Sequence, residues 1–389
     1  MTRRSKLSLT IFSLIIIFLI PQVISLAGAQ VAGTANSWVS KAPLPIAGSD
    51  YGAATVTGTI YVLGSSVNYA YNPNTNSWSQ KTPMPVPRTE FAITACNNKI
   101  YVIGGVDSNG SSSSVNEAYD PSTDTWTTKA ALPTSRSEMQ ADTINGKIYV
   151  MGGRTAVAYS TVNTTEIYDP AANSWNSSVP MLYPVVGYAS AVVDNKIYVI
   201  GGQDEYLSSA SNNVAFAQIY DPATNAWSLG ASMPESTWQA TAGATTGTMA
   251  PKQIYVIGGM TGFGEGSNQT YAYNPSANTW TTAASIPFAC YNPAIAVVND
   301  VLYVIGGSQS TVALSTNEQY TPIGYNQTSS SPSPSSQSSD QSTKQTQLIE
   351  YIGLIAGLIA IVSVATAYIF TKRTKHKLKT PKQVSLRLK

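Results

Sequence analysis

One short string constrains this chain more than anything else in it. Lys-Ile-Tyr-Val-Ile-Gly-Gly or a close variant recurs at residues 99–105, 147–153, 196–202, 253–259 and 301–307, with a degenerate copy at 59–65. Each copy is followed by a tyrosine with proline two residues on, at Tyr71, Tyr119, Tyr168, Tyr220, Tyr273 and Tyr320. Five of those tyrosines precede a tryptophan: Trp78, Trp126, Trp175, Trp227 and Trp280. Self-similarity at roughly 40–50 residues means repeated supersecondary units, none of which can bury its faces without a neighbour.

The second repeat shows what one unit contains. Alternating and β-branched runs predict strands over 88–96, 99–104, 115–119 and 125–129, here termed A to D. Asn97-Asn98, Asn145-Gly146, Asp194-Asn195 and Asn299-Asp300 suit two-residue hairpins from A to B, which need positive φ. Asp120-Pro121, Asp169-Pro170 and Asp221-Pro222 turn the chain from C to D. The glycine pair closes strand B where a Cβ would collide, and the spaced Tyr and Trp read as wedges between units.

In its Gly-Gly doublets and spaced Tyr and Trp, the stretch from about Asn36 to Pro322 resembles the kelch-repeat family. The resemblance implies an all-β, six-bladed kelch-type β-propeller. The ends of the repeat array say how such a ring would close. The sixth repeat stops at Tyr320-Thr321-Pro322 without a fourth strand, and an orphan fourth strand, Asn36-Ser37-Trp38-Val39-Ser40-Lys41, opens the array. The N-terminal strand is therefore expected to complete the last blade and remove two sheet edges.

Outside the repeats the chain carries signals for export and anchoring. Arg3, Arg4 and Lys6 precede an apolar run ending at Pro21, and Ala27-Gly28-Ala29 offers a cleavage site, so residues 1–29 read as a signal peptide. After the propeller (30–324) comes a Ser/Thr/Pro/Gln-rich stretch expected to be an extended stalk (325–347). Residues 348–371 read as one C-terminal transmembrane helix, and 372–389 as a basic cytoplasmic tail. The expectation is a single-pass type I protein of the cell membrane with an extracellular propeller. Gly353 and Gly357 could let two such helices form a weak homodimer. N-glycosylation sequons stand at Asn109, Asn163, Asn176, Asn268 and Asn326.

This topology decides how the charge is read. Of the 22 basic residues, three lie in the leader and eight follow the apolar helix, leaving eleven against nineteen acids outside the membrane. An ectodomain that acidic gives no support to nucleic-acid binding.

The only histidine is His376 in the tail, which excludes imidazole-ligated copper or zinc and His-dependent nucleophilic catalysis in the propeller. No cofactor or metal is implied. Binding of an extracellular protein or glycan is the expected function. The alternative is a carboxylate-only carbohydrate enzyme, similar to the kelch propellers that epimerise sialic acid.

The links from B to C and from D to the next A should share one face. The B–C links are long and irregular, at 106–114, 154–164, 203–213, 260–269 and 308–316, and such loops carry binding. In the kelch family the start of strand A lines the channel mouth on that face. The resemblance places Arg88 and Arg136 where the family carries a ligand-contacting Arg, with mutual pairing to Glu90 and Glu138 as the bland alternative. Two residues on lies an arc of Asp50, Glu90 and Glu138 that continues into Gly187, Gln239 and Asn292. Trp238, the one Trp outside the wedge register, and Tyr291 complete the expected ligand-binding set.

Overall fold

The computed structural model describes residues 34–326, apart from 156–159, 205–211 and 263–265. Six four-stranded antiparallel sheets form six blades. Blade 1 runs A to D through Gly52–Val56, Thr59–Leu63, Asn68–Asn72 and Ser77–Gln80. Blade 2 is Ala92–Cys96, Lys99–Ile103, Asn116–Asp120 and Thr125–Thr128, and blade 3 is Gln140–Ile144, Lys147–Met151, Thr165–Asp169 and Ser174–Ser177. Strands A of blades 4, 5 and 6 are Ala189–Val193, Thr241–Ala244 and Ala294–Val298. Each strand A touches those of the blades on either side, so the six line the axis.

Closure occurs as the orphan strand required. Ser37–Ser40 is strand D of blade 6, antiparallel to Asn317–Thr321 with Trp38 opposite Tyr320, in the same sheet as Val301–Ile305.

The conserved-looking punctuation of the repeat has one job in every blade. The Trp indole N–H donates across the blade gap to a backbone carbonyl just past the last strand of the preceding blade: Trp126 to Thr82, Trp175 to Ala130 and Trp280 to Ala231, at 2.8–2.9 Å. The Tyr hydroxyl donates to a side-chain oxygen five residues on, as Tyr71 to Asn76 and Tyr168 to Asn173. Those acceptors, with Asp124, Asn225, Asn278 and Asn36, all have φ of +50° to +57°, a region Asn and Asp enter more easily than other residues. Gly104 and Gly105 sit at φ +63° and +102°, where a Cβ would lie 2.6 Å from the Arg136 carbonyl and 2.4 Å from that of Thr89. Strand B could not end there with any side chain.

Apolar side chains of neighbouring blades merge into shared clusters. Tyr101 and Ile103 of blade 2 pack with Met139, Ile148, Val150 and Tyr168 of blade 3.

The A–B turns follow the expected pattern except in blade 5, where the link 245–253 is long. Its backbone N–H groups at Thr246, Thr248, Met249 and Ala250 converge on the Asp300 carboxylate of blade 6. Burial pushes the Asp300 carboxyl up, but hydrogen bonds from Thr246, Met249 and Ala250 outweigh it and hold the group below its ordinary range. The Asn326 N–H bonds the Met249 carbonyl at 2.7 Å, so the chain leaves blade 6 on the short-turn side. The leader, the transmembrane helix with Gly353 and Gly357, and the basic tail lie outside the described residues, as does the stalk beyond Asn326. Among the described residues there is no helix long and apolar enough to cross a membrane.

Candidate functional site

Six equivalent residues make a ring at the head of the six A strands: Asp50, Glu90, Glu138, Gly187, Gln239 and Asn292. All six have φ between +52° and +61°. For Glu and Gln that conformation is strained, by about 1–2 kcal/mol, and a backbone ladder holds it. The N–H groups of Glu138, Gly187, Gln239 and Asn292 donate to the carbonyls of Glu90, Glu138, Gly187 and Gln239, at 2.6–3.1 Å. Asn292 then donates its side-chain N–H to Asp50. The ring thus ties blades 2 to 6 together through main chain and reaches blade 1 through a side chain. It lines a cavity of about 210 Å³.

The acids of the ring are half-buried, and for Asp50 and Glu90 burial is the first cause of a raised pKa. It raises the Asp50 carboxyl against a hydrogen bond from Ser49. It also raises Glu90, reinforced by the charge of Asp50 and opposed by Ser137 and Arg154. Glu138 pairs with Arg154 at 3.0 Å.

Arg88 and Arg136 are not part of this mouth. Their residues are 1% and 0% exposed. Arg88 donates to Glu117 at 2.5 Å and to the carbonyls of Val86, Val102 and Gly104 at 2.7–2.9 Å. Arg136 pairs with Glu166 and donates to the Thr134 and Val150 carbonyls. The expectation that they face ligand is therefore corrected, as is the pairing of each with the Glu two residues on. The αL turn at Glu90 and Glu138 redirects the chain between the two side chains: the Glu goes to the channel and the Arg into its own blade, against strand C. Each Arg has its Glu in the same repeat, whereas the other four repeats place Gly48, Val185, Thr237 and Cys290 at the Arg position.

Trp238 and Tyr291 each directly precede a ring residue, Gln239 and Asn292, and neither is among the residues lining the cavity. Trp238 is half-buried, bridged to Met260, with its ring edge about 3.3 Å from where a Cβ on Gly187 would be. Tyr291 is bridged to Ser308 and donates its hydroxyl to the Ser310 carbonyl. Of the sequons, Asn109, Asn176, Asn268 and Asn326 are exposed, and the Asn163 side-chain N–H donates to the Met181 carbonyl.

One residue of the cavity escaped the sequence reading. Asp142 lies four residues beyond Glu138 on strand A of blade 3, lines the same cavity and is 8% exposed, with no hydrogen-bond partner for Oδ2. The corresponding positions of the other repeats are Ala54, Thr94, Ala191, Gly243 and Ala296. A lone acid in a tier of small residues was the available signal. Burial pushes its carboxyl up to about 7, opposed by Ser190 of blade 4.

Because the folded-state pKa lies above the ordinary value of 3.8, folding favours the protonated form. Stability from this group is full at acid pH and lost as pH rises toward 7. Asp142→Asn is therefore expected to stabilise the fold by up to about 4 kcal/mol near pH 8 and by little near pH 4, measured by denaturant unfolding. A difference independent of pH would show that Asp142 is not the titrating group.

A family model described as the Attractin/LZTR1 β-propeller matches residues 100–327. The chain belongs to that family. Among curated proteins, Kelch-like protein 25 of Xenopus tropicalis is 34% identical over 114 residues, 28% of this chain and 18% of that protein. Kelch-like protein 35 of Mus musculus is 29% identical over 93 residues, 24% of this chain and 15% of its own length. The chain thus spans less than a fifth of either curated relative. The solved structure of YjhT shares the fold at 17% identity and a TM-score of 0.62, covering 71% of this chain and 96% of that one. As an Attractin/LZTR1-type propeller the molecule is a kelch-repeat scaffold, and its individuality lies in the ring, the cavity and the long links.

Proposed function

We propose that this propeller is a non-catalytic interaction module, carried on the cell surface by a C-terminal membrane helix, that binds a protein or glycan on its long-loop face. The observation that carries the reading is the asymmetry between the two faces. One carries mostly two-residue turns and the chain exit at Asn326; the other carries the long B–C links, the open ring, Trp238 and Tyr291. A constant scaffold with variable links on one side is the arrangement binding loops use. The kelch-related names of the curated relatives agree with an interaction role. Half-buried aromatics beside a polar ring are the residue types that anchor binding.

The test is a glycan array and a surface-protein pull-down with the full-length protein, followed by affinity measurements on whatever is captured. Trp238→Ala is expected to weaken that affinity by about tenfold or more. Asn145→Gly, which keeps the positive-φ turn on the opposite face, is expected to leave it unchanged. The reverse pattern would put the working face on the wrong side. Protease treatment of intact cells should remove the propeller epitope, and its full protection would refute the surface location.

A further inference from the structure

The cavity holds carboxyl groups at two depths. At its mouth stand Asp50, Glu90 and Glu138, with Arg154 against Glu138 as the cationic partner. Four residues farther along strand A, at most about 13 Å at the strand rise, stands Asp142 with its partnerless Oδ2. Ser190 and Tyr188 of blade 4 and Tyr149 on the paired strand face Asp142; Arg136, which also acts on Tyr188, is paired with Glu166. None of these supplies a free positive charge to Oδ2. The walls between the two depths combine Ala53, Ala141, Ala189 and Ala242 with the larger Phe91, Ile93, Gln140 and Ile295.

A single metal ion cannot serve both depths, because its ligands must all lie within about 2.6 Å of it. Asp142 Oδ2 has no hydrogen-bond partner, which suits the compact point donor of an ammonium. The volume of about 210 Å³ is below the range of about 300–1,000 Å³ typical for drug-sized ligands. The occupant should be slender, cationic at both ends and a point donor at its tip.

We propose that the cavity takes a linear aliphatic polyamine end-on, with one terminal ammonium at Asp142 Oδ2 and a second charge at the Asp50, Glu90 and Glu138 arc. Charge-assisted N–H···O bonds supply the affinity, and the apolar wall residues meet the methylenes. The site shares its ring with the loop face, but it needs no macromolecular ligand there, and its test reads the cavity acids alone.

Titration calorimetry of the full-length protein with spermidine, 1,4-diaminobutane and 1,4-butanediol tests this. Spermidine should bind more tightly than the diamine, and the diol not at all. Asp142→Asn and Glu90→Gln should each weaken spermidine about tenfold or more. Asp194→Asn, the same charge loss on the short-turn face at a residue whose φ of +50° suits Asn, should leave it within about twofold. The proposal is overturned if spermidine does not bind or if the diol binds equally well. It also falls if Asp194→Asn costs as much as Asp142→Asn, or if a lysine-rich peptide binds the cavity where spermidine does not.

Discussion

A protein lacking residues 36–43 should lose most of its resistance to denaturant, although the deletion removes only one short strand. That strand is the ring's closure. Its four residues pair with Asn317–Thr321, and the Trp38 indole donates at 2.8 Å to Ala284, 246 residues away in sequence. Trp38 also packs on Tyr320 with ring centroids 4.8 Å apart. Asn36 accepts the Tyr320 hydroxyl and the Ala284 N–H at 2.7–2.8 Å. Without them blade 6 would expose an unpaired edge and the gap to blade 5 would lose its wedge.

Trp38→Ala alone should cost about 3 kcal/mol. The full deletion should approach the whole stability of an ordinary domain, about 5–15 kcal/mol. Urea unfolding followed by tryptophan fluorescence reads both. A midpoint unchanged by the deletion would mean that the ring holds without its N-terminal strand.

The fold was legible because each repeat repeats its reasons. A glycine pair at positive φ in five blades, a Tyr and a Trp at fixed offsets, and short Asn- or Gly-containing hairpins in all but blade 5 reinforce one another. The orphan strand around Trp38 was readable for the same reason, since five other copies showed what was missing. The ring of Asp50, Glu90 and Glu138 was found because its position could be counted from the A–B turns.

The directions of side chains were less legible. Arg88 and Glu90 are two residues apart, which in a regular strand puts them on one face. The αL residue at Glu90 breaks that alternation, and no single-residue propensity announces a left-handed Glu. Asp142 was missed because its meaning lies in contrast with five small residues elsewhere in the chain. The long link in blade 5 was overlooked because its order comes from Asp300, which belongs to the next blade.

Arg88→Ala should destabilise the propeller by about 3–5 kcal/mol, the cost of leaving a buried charge without its partner. The stranded group would be Glu117, 1% exposed, and the carbonyls of Val102 and Gly104 would lose their donors as well. Arg136→Ala should behave alike through Glu166, whose other oxygen accepts from Thr134. A double variant, Arg88→Met with Glu117→Gln, removes both charges at similar volume and should recover most of the loss, since replacing a whole buried pair is often near neutral. The same variants separate the blade-internal role from the ligand-contacting role expected from sequence. If Arg88→Ala leaves the unfolding free energy within about 0.5 kcal/mol of the parent yet weakens binding at the loop face, the guanidinium serves ligand. If stability falls and the double variant restores it, the pair is a strut that joins the start of strand A to strand C, and so fixes where Glu90 enters the ring.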